Sequence, residues 1–316
     1  MYINNVEIAD TFAEGFGMWA TRFIITAINE KWALTTATTI TGFATSVIAC
    51  GCEGGTDKIL RHEESPDRRP GARVMFCITS PKKDVAVNME SLLINRIGQC
   101  VLTSPTAACY NAINPTQETI PVSVGGKLKF FGDGFQISKR LPSTCNGKEA
   151  RRFWRIPIME GEFLCEEVFH IQKAFGGGNF LVVGKNVECV LEACERAIAE
   201  MKKVENVIMP FPGGIVRSGS KVGSKYAALK ASTNDAFCPT LKAQSKNSLL
   251  KEGEECVMEI VVDALDLDSM KKAMKCGIEA ACTVDGITRI MAGNYGGKLG
   301  KFNIHLHEMF KSITNQ

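Results

Sequence analysis

Glycines mixed with small polar residues recur at the ends of apolar runs in this chain. They form the segments Gly176-Gly177-Gly178-Asn179, Phe211-Pro212-Gly213-Gly214, Ser218-Gly219-Ser220-Lys221, Ala231-Ser232-Thr233-Asn234-Asp235 and Gly293-Asn294-Tyr295-Gly296-Gly297-Lys298. Glycine lets a backbone approach a ligand closely, and exposed N–H groups can take a carboxylate or phosphate. Each segment alone reads as a tight turn. Several in one half of the chain, interleaved with lysines and hydroxyls, read equally well as a ligand cleft. A second candidate is Glu259, which follows Val257-Met258 and opens the run Ile260-Val261-Val262. A carboxyl among apolar neighbours has its pKa raised by desolvation, and the protonated acid can then donate. From the residues alone, an exposed glutamate at a strand edge is the simpler reading, because Glu is rarely buried.

Familiar signatures are missing from the sequence. Gly219-Ser220-Lys221-Val222-Gly223-Ser224-Lys225 lacks the GxxxxGK[ST] spacing of a phosphate loop, no GxGxxG opens a helix, and there is no GxSxG elbow. Nucleotide-driven and acyl-enzyme chemistry both lose support. The 13 cysteines include one tight pair, Cys50-Gly51-Cys52, and no CxxC; none of the four histidines lies beside a cysteine. Zinc and iron–sulfur sites want thiolates at short regular intervals, so no metal site is expected. Cys77, Cys100, Cys189, Cys194, Cys276 and Cys282 sit in apolar stretches and are expected to pack as small hydrophobes. That many free thiols suit a reducing cytoplasm.

Four strand–helix–strand patterns must position these residues. The first runs from Thr21–Thr26 through a helix near Lys31–Thr39 to a strand at Ala44–Ile48. The second joins Arg73–Thr79, a helix over Met89–Ile97 and a strand near Gln99–Thr103. The third begins at Asn179–Val183, and its helix, Val187 to Lys203, places Val190, Ala193, Cys194, Ala197, Ile198 and Met201 on one face. The fourth takes in Glu259–Val262, a helix over Ser269–Ala281 and a strand at Ile287–Met291. The last two each close on a glycine pair.

Paired in this way, the units predict an α+β fold of two related lobes, each a ferredoxin-like split βαβ sheet covered by helices on one face, the product of an internal duplication. The division is expected at residues 1–150 and 151–310, with 311–316 as a tail. The stretch Ile137–Arg155, with six basic residues, reads as a solvated linker or insertion, and Lys242–Gly253 as a plain connection. The length suits about two domains. A formal charge of +3 is too small to argue for nucleic acid but suits small polyanions. The longest apolar runs are a few residues long, far short of the roughly 20 that a membrane helix needs. The N-terminus lacks the layout of a signal peptide.

Long uncommon strings carry a resemblance. Thr41–Ile48, Arg96–Thr103, Lys129-Phe130-Phe131-Gly132-Asp133-Gly134, Pro210–Lys225, Ala231–Thr240, Gly277–Cys282 and Ala292–Gly300 resemble the formylmethanofuran:tetrahydromethanopterin formyltransferase family, in register from about Ile3 to Phe310. The resemblance implies reversible transfer of a formyl group from formylmethanofuran to N5 of tetrahydromethanopterin in archaeal one-carbon metabolism. Direct attack in a ternary complex would need no permanently bound cofactor, the two carriers being co-substrates. It also implies Glu259 as the catalytic acid, and a homo-oligomer, a tetramer built from dimers. A long cleft would be lined by Gly213, Gly214, Ser220, Lys221, Ser224, Lys225, Ser232, Thr233, Asn234, Asn294, Gly296, Gly297 and Lys298. The lysines are candidates for the carriers' acidic tails, and Ser232, Thr233 and Asn234 for orienting the pterin or the formamide. Ile137–Arg155 is longer and more basic than the family pattern, and Lys311–Gln316 extends past its usual end. Two rivals are a non-catalytic binding module, whose RNA-binding versions need paired sheet aromatics where these strands offer only the isolated Phe76 and Phe180, and a subunit of a larger formyl-transferring and hydrolysing complex.

Overall fold

A computed structural model describes residues 1–141 and 150–311. The chain forms two compact units. One, the N-lobe, holds Met18–Ala44 and Cys52–Lys173; the other, the C-lobe, holds Met1–Gly17, Thr45–Gly51 and the chain from Ala174 onward. These units follow a different course from a single cut at residue 150, since the first seventeen residues join the C-lobe.

The N-lobe is built on β1 (Phe12–Thr26), which belongs to this lobe from Met18, α1 (Glu30–Thr41), β2 (Cys52–Leu60), β3 (Gly71–Ile78), α2 (Val85–Arg96) and β4 (Ala108–Asn111). β1 pairs antiparallel with β3 and with β4, and β2 pairs antiparallel with β3. The order β4-β1-β3-β2 is that of a split βαβ sheet. Asn29 caps α1 by accepting from the Trp32 N–H at 3.0 Å, which satisfies one orphan donor of the first turn. Ala37 and Ile40 from α1, with Val85, Met89 and Leu93 from α2, bury Phe23, Ile25, Val74 and Phe76 on one face of the sheet. Alternation along the strands sends Arg22, Ile24 and Arg73 to the other face. The sheet continues through β5 (Ile137–Leu141), β6 (Arg151–Ile158) and β7 (Gly161–Glu166). β6 pairs with both of its neighbours, and β7 meets β4 in parallel at Cys165 and Cys109.

In the C-lobe the corresponding elements are β8 (Val168–Gly184), which belongs to this lobe from Ala174, α3 (Val187–Met201), β9 (Val207–Ile208), β12 (Cys256–Ala264), α4 (Leu267–Ala281) and β13 (Ile287–Met291). Between β9 and β12 lies a hairpin of β10 (Ser220–Val222) and β11 (Ala231–Thr233). The order β13-β8-β12-β9, antiparallel throughout, repeats that of the N-lobe. Asn186 and Asp266 cap α3 and α4 through the N–H groups of Cys189 and Ser269. The two helices bury stripes at helical spacing, Val190/Cys194/Ala197/Met201 and Met270/Ala273/Met274/Ile278, against Phe180, Val182, Ile260 and Val262.

Four sequence expectations need correction. The strand placed at Gln99–Thr103 is helical: Met89, Leu93, Ile97 and Val101 recur every four residues and are all buried, so α2 runs on into a wider turn over Ile97–Val101. The partner strand of the first unit is β2, with only Thr45–Ser46 extended in the range proposed for it. β2 escaped notice because of its glycines, one of which makes room for a ring: a Cβ on Gly54 would lie 2.4 Å from Phe76 Cε1. Ile137–Leu141 and Arg151–Arg155 are strand rather than linker, paired within the N-lobe; the residues between, 142–149, lie outside those described, as does the tail from 312. Of the six cysteines assigned to the core, Cys77, Cys194 and Cys282 are buried, whereas Cys100, Cys189 and Cys276 are half-buried.

Candidate active site

The face of the C-lobe sheet that turns away from its helices carries Leu181 and Val183 of β8, Met291 of β13 and Val257 of β12, with Phe237 and Leu250 packed over them. Glu259 belongs to that face, because it pairs directly with Leu181, which pairs in turn with Met291. Its backbone exchanges two 2.8 Å hydrogen bonds with Val216, so the chain returning from β9 is fixed at the acid. The Glu259 side chain is half-buried and has no hydrogen bond or ion pair among the described residues. Burial with nothing to compensate it pushes the carboxyl up to about 7. Beside it is a hollow of about 20 Å³, bordered by Leu181, Ser218, Asn234, Phe237 and Cys238. That is room for one water-sized group. Asn234 also borders the hollow, its side chain without a hydrogen bond among the described residues and its backbone fixed by N–H donation to the Gly219 carbonyl at 2.9 Å.

The other predicted residues divide by what already engages them. Ser220 and Lys221 lie on β10 opposite Thr233 and Ser232 of β11. The Lys221 ammonium pairs with Asp235, which also accepts from Ser245 at 2.9 Å. The lysine, then the serine, holds the Asp235 carboxyl down at about 2. Ser232 donates to the Gly223 carbonyl at 2.9 Å, and Ser224 accepts the Tyr226 N–H at 3.0 Å, so both hydroxyls shape the hairpin. Thr233 is exposed. Lys225 and Lys298 are exposed and have no ion pair among the described residues.

Gly213 and Gly214 act as turn residues. Both have positive φ, and the Gly214 N–H is already donated to Phe211 at 2.7 Å. The loop after β13 is similarly occupied. Buried Glu14 accepts the backbone N–H groups of Tyr295, Gly297, Leu299 and Gly300, the donors that a ligand carboxylate would otherwise have taken. Burial alone would raise the Glu14 carboxyl; the four donors outweigh it and hold it below the usual range. Gly296 donates to Asn294, whose own amide donates to the Phe12 carbonyl at 3.1 Å. Asn179, on the same face as Glu259, accepts from the Gly293 N–H at 2.7 Å and donates to its carbonyl at 3.1 Å, and so extends the β8–β13 ladder with a side chain.

Sequence reasoning thus gave no role to Glu14, Phe237 or Cys238, and named Asn179, Ser218 and Asp235 only as members of glycine-rich cleft segments. Asn179 had a signal: a single amide after three glycines at a strand entrance. The cover over the open face is likewise more than a connection. Arg289 of β13 pairs with Glu254 at 2.7 Å, both nearly buried, and donates to the Leu249 carbonyl at 2.8 Å, stitching the 242–255 loop to the sheet.

A carboxyl pushed up to about 7 by burial, beside a one-group hollow on a two-lobed α+β scaffold, has the properties that proton movement during group transfer calls for. Comparison with known proteins names the group. The model of formylmethanofuran-tetrahydromethanopterin formyltransferase matches residues 1–158, and that of the proximal lobe of the same enzyme matches residues 161–309. The chain belongs to the formylmethanofuran–tetrahydromethanopterin formyltransferase family. A relative of that name from Methylococcus capsulatus is 54% identical over 312 residues, 98% of this chain and 99% of that one. The solved formyltransferase of Methanosarcina barkeri superposes with a TM-score of 0.90 at 45% identity, over 98% of this chain and 100% of the other. A chain of the formyltransferase/hydrolase complex of Methylorubrum extorquens, solved with methylofuran, gives 0.91 at 42%, covering 98% of each. The relatives come from bacteria as well as archaea, so the archaeal setting expected from the sequence was too narrow.

Proposed function

We propose that this formyltransferase moves the formyl group between formylmethanofuran and N5 of tetrahydromethanopterin by direct attack in a ternary complex, with Glu259 as the acid–base residue. The observation that carries this reading is the Glu259 carboxyl, raised to about 7 beside a hollow for one small group. In the forward direction N5 attacks the formamide carbon and the carbonyl oxygen gains charge. Protonated Glu259 donates to that oxygen, with the Asn234 amide as a second donor. Collapse breaks the bond to the methanofuran nitrogen, which takes a proton as N5 gives one up. A carboxyl with a pKa near working pH serves both transfers. Both carriers act as co-substrates, with no permanently bound cofactor required by these steps. Of the basic candidates, Lys225 and Lys298 are best placed to meet anionic tails, since neither is committed elsewhere.

Among the described residues no helix is long and apolar enough to cross a membrane. The thiol-rich composition supports a place in the cytoplasm. Exposed Phe130, Phe131 and Phe135 on the N-lobe support burial by further copies of the chain, in keeping with the tetramer built from dimers that the resemblance implies. The likeness to the Methylorubrum extorquens chain favours a second assembly, as one subunit of a larger complex; the composition of the protein purified from its own host separates the two.

The deciding test mixes protein, formylmethanofuran and tetrahydromethanopterin and follows the formylated pterin by absorbance, for wild type and Glu259→Gln. Fast turnover by wild type with a loss of about 100-fold in the variant, the scale of an acid–base group, supports the mechanism. Equal rates would remove Glu259 from it.

A further inference from the structure

We propose that the N-lobe carries a second ligand site, a groove for a small molecule bearing two or more phosphate or carboxylate groups. The groove measures about 1150 Å³ and is lined by Arg73, Arg140, Arg151 and Arg152 against Glu166 and Glu167. Small-molecule sites run to about 300–1,000 Å³, so this one suits a nucleotide-sized compound better than a lone ion.

The arrangement of its arginines is the stronger argument. Arg140 of β5 and Arg152 of β6 stand directly opposite each other in the antiparallel ladder. Like charges so placed repel and destabilise the pairing. Arg152 is relieved in part by Glu167 at 3.1 Å and by Ser138 at 2.9 Å. Arg140 is exposed and has no ion pair among the described residues. A bound oxyanion would turn that repulsion into two charge-assisted contacts, and the planar guanidinium fork matches carboxylate and phosphate geometry. Arg73 reaches the groove from its pair with buried Asp57 at 2.8 Å. Asn114 and Gln117 add neutral donors from a loop on its wall.

The duplicated fold gives the groove a context. Ile24, Arg73, Arg151 and Glu166 lie on the face of the N-lobe sheet that turns away from its helices. In the C-lobe the same face carries Glu259; Arg140 and Arg152, in line with Trp154 and Ile156 of the helix-side core, reach the groove from the other face at the edge of the sheet. Three of the groove's arginines come from the basic run around residues 137–155, which by composition alone reads as solvated.

The test is calorimetric titration of the full chain with pyrophosphate, ADP and citrate at constant ionic strength. We expect saturable binding of one ligand per chain, weakened at least tenfold by Arg140→Ala and unchanged by Glu259→Gln. Preference for pyrophosphate and ADP would mark a phosphate ligand, preference for citrate a carboxylate. Saturable heat from none of the three would overturn the proposal. So would binding that survives both Arg140→Ala and Arg152→Gln; the exposed position of Arg140 keeps the first variant informative should the second fail to fold.

Discussion

Lys221 and Asp235 form an ion pair that ties β10 to the turn following β11. A lysine in a Gly-Ser-Lys string suggests an anion hook, but here its charge is already engaged. Lys221→Ala is therefore expected to loosen the hairpin, seen as faster proteolytic cleavage between residues 219 and 235, whereas Lys225→Ala should leave cleavage unchanged and raise the Michaelis constant for one carrier severalfold. The reverse pattern would make Lys221 the binding lysine. The pair also has a pH signature. Asp235 is held below its unfolded value, so its contribution is present above the unfolded pKa and fades as pH falls towards about 2.

Glu259 should trade stability for activity. Its folded pKa, about 7, lies above the ordinary glutamate value, so the protein gains from the neutral acid at low pH and loses that gain as pH rises through 7. Gln has nothing to ionise. Glu259→Gln is expected to melt higher than wild type at pH 8.5, by an amount equivalent to about 1–3 kcal/mol, and to match it near pH 4, below the unfolded glutamate value, while turnover falls about 100-fold. The alkaline limb near pH 7 in the wild-type rate profile should vanish in the variant. Melting curves across pH check the first half; a variant less stable at pH 8.5 would mean that the carboxylate is compensated after all.

What could be read in advance followed from local pattern. The α3 stripe was plain because Val190, Cys194, Ala197 and Met201 repeat at helical spacing, whereas Glu259, a charge in an apolar strand, was favoured over an exposed strand edge only by the family resemblance. The strand β2 was hidden because Gly54 and Gly55 remove the side chains that would announce it. The glycine-rich loops could be found but not interpreted: whether an N–H is open to a ligand depends on Glu14, more than 280 residues from Gly297 in sequence. The binding partners of buried donors are tertiary facts, and no periodicity encodes them.

Glu14 holds the loop after β13 through four backbone donors. Glu14→Gln keeps the shape but replaces one acceptor oxygen with an amide donor, which meets N–H groups head on. Hydrogen bonds to a charged group contribute about 1.5–3 kcal/mol each when broken, so urea denaturation at pH 7 should show a loss of about 2–4 kcal/mol. Since burial and the four donors leave Glu14 below the ordinary glutamate pKa, its contribution is present above the unfolded value and lost as pH falls through the folded one. The wild-type advantage should narrow towards pH 3. An undiminished gap there would point to shape rather than charge.

Gly214 connects a turn to the acid. Its φ of +87° is uncommon for any residue with a Cβ, and a Cβ built there would lie 2.5 Å from Ile198 Cδ1 on α3. Two residues later, Val216 bonds both ways to the Glu259 backbone. Gly214→Ala must push the turn off α3, and the displacement travels to the strand that fixes the acid. We expect a loss of about 1–3 kcal/mol in stability, with kcat falling further than either Michaelis constant rises, because the acid moves relative to the bound formyl group. Ile198→Val shortens the side chain at the point of collision. Combined with Gly214→Ala it should restore part of the stability and part of kcat, whereas two independent effects would simply add.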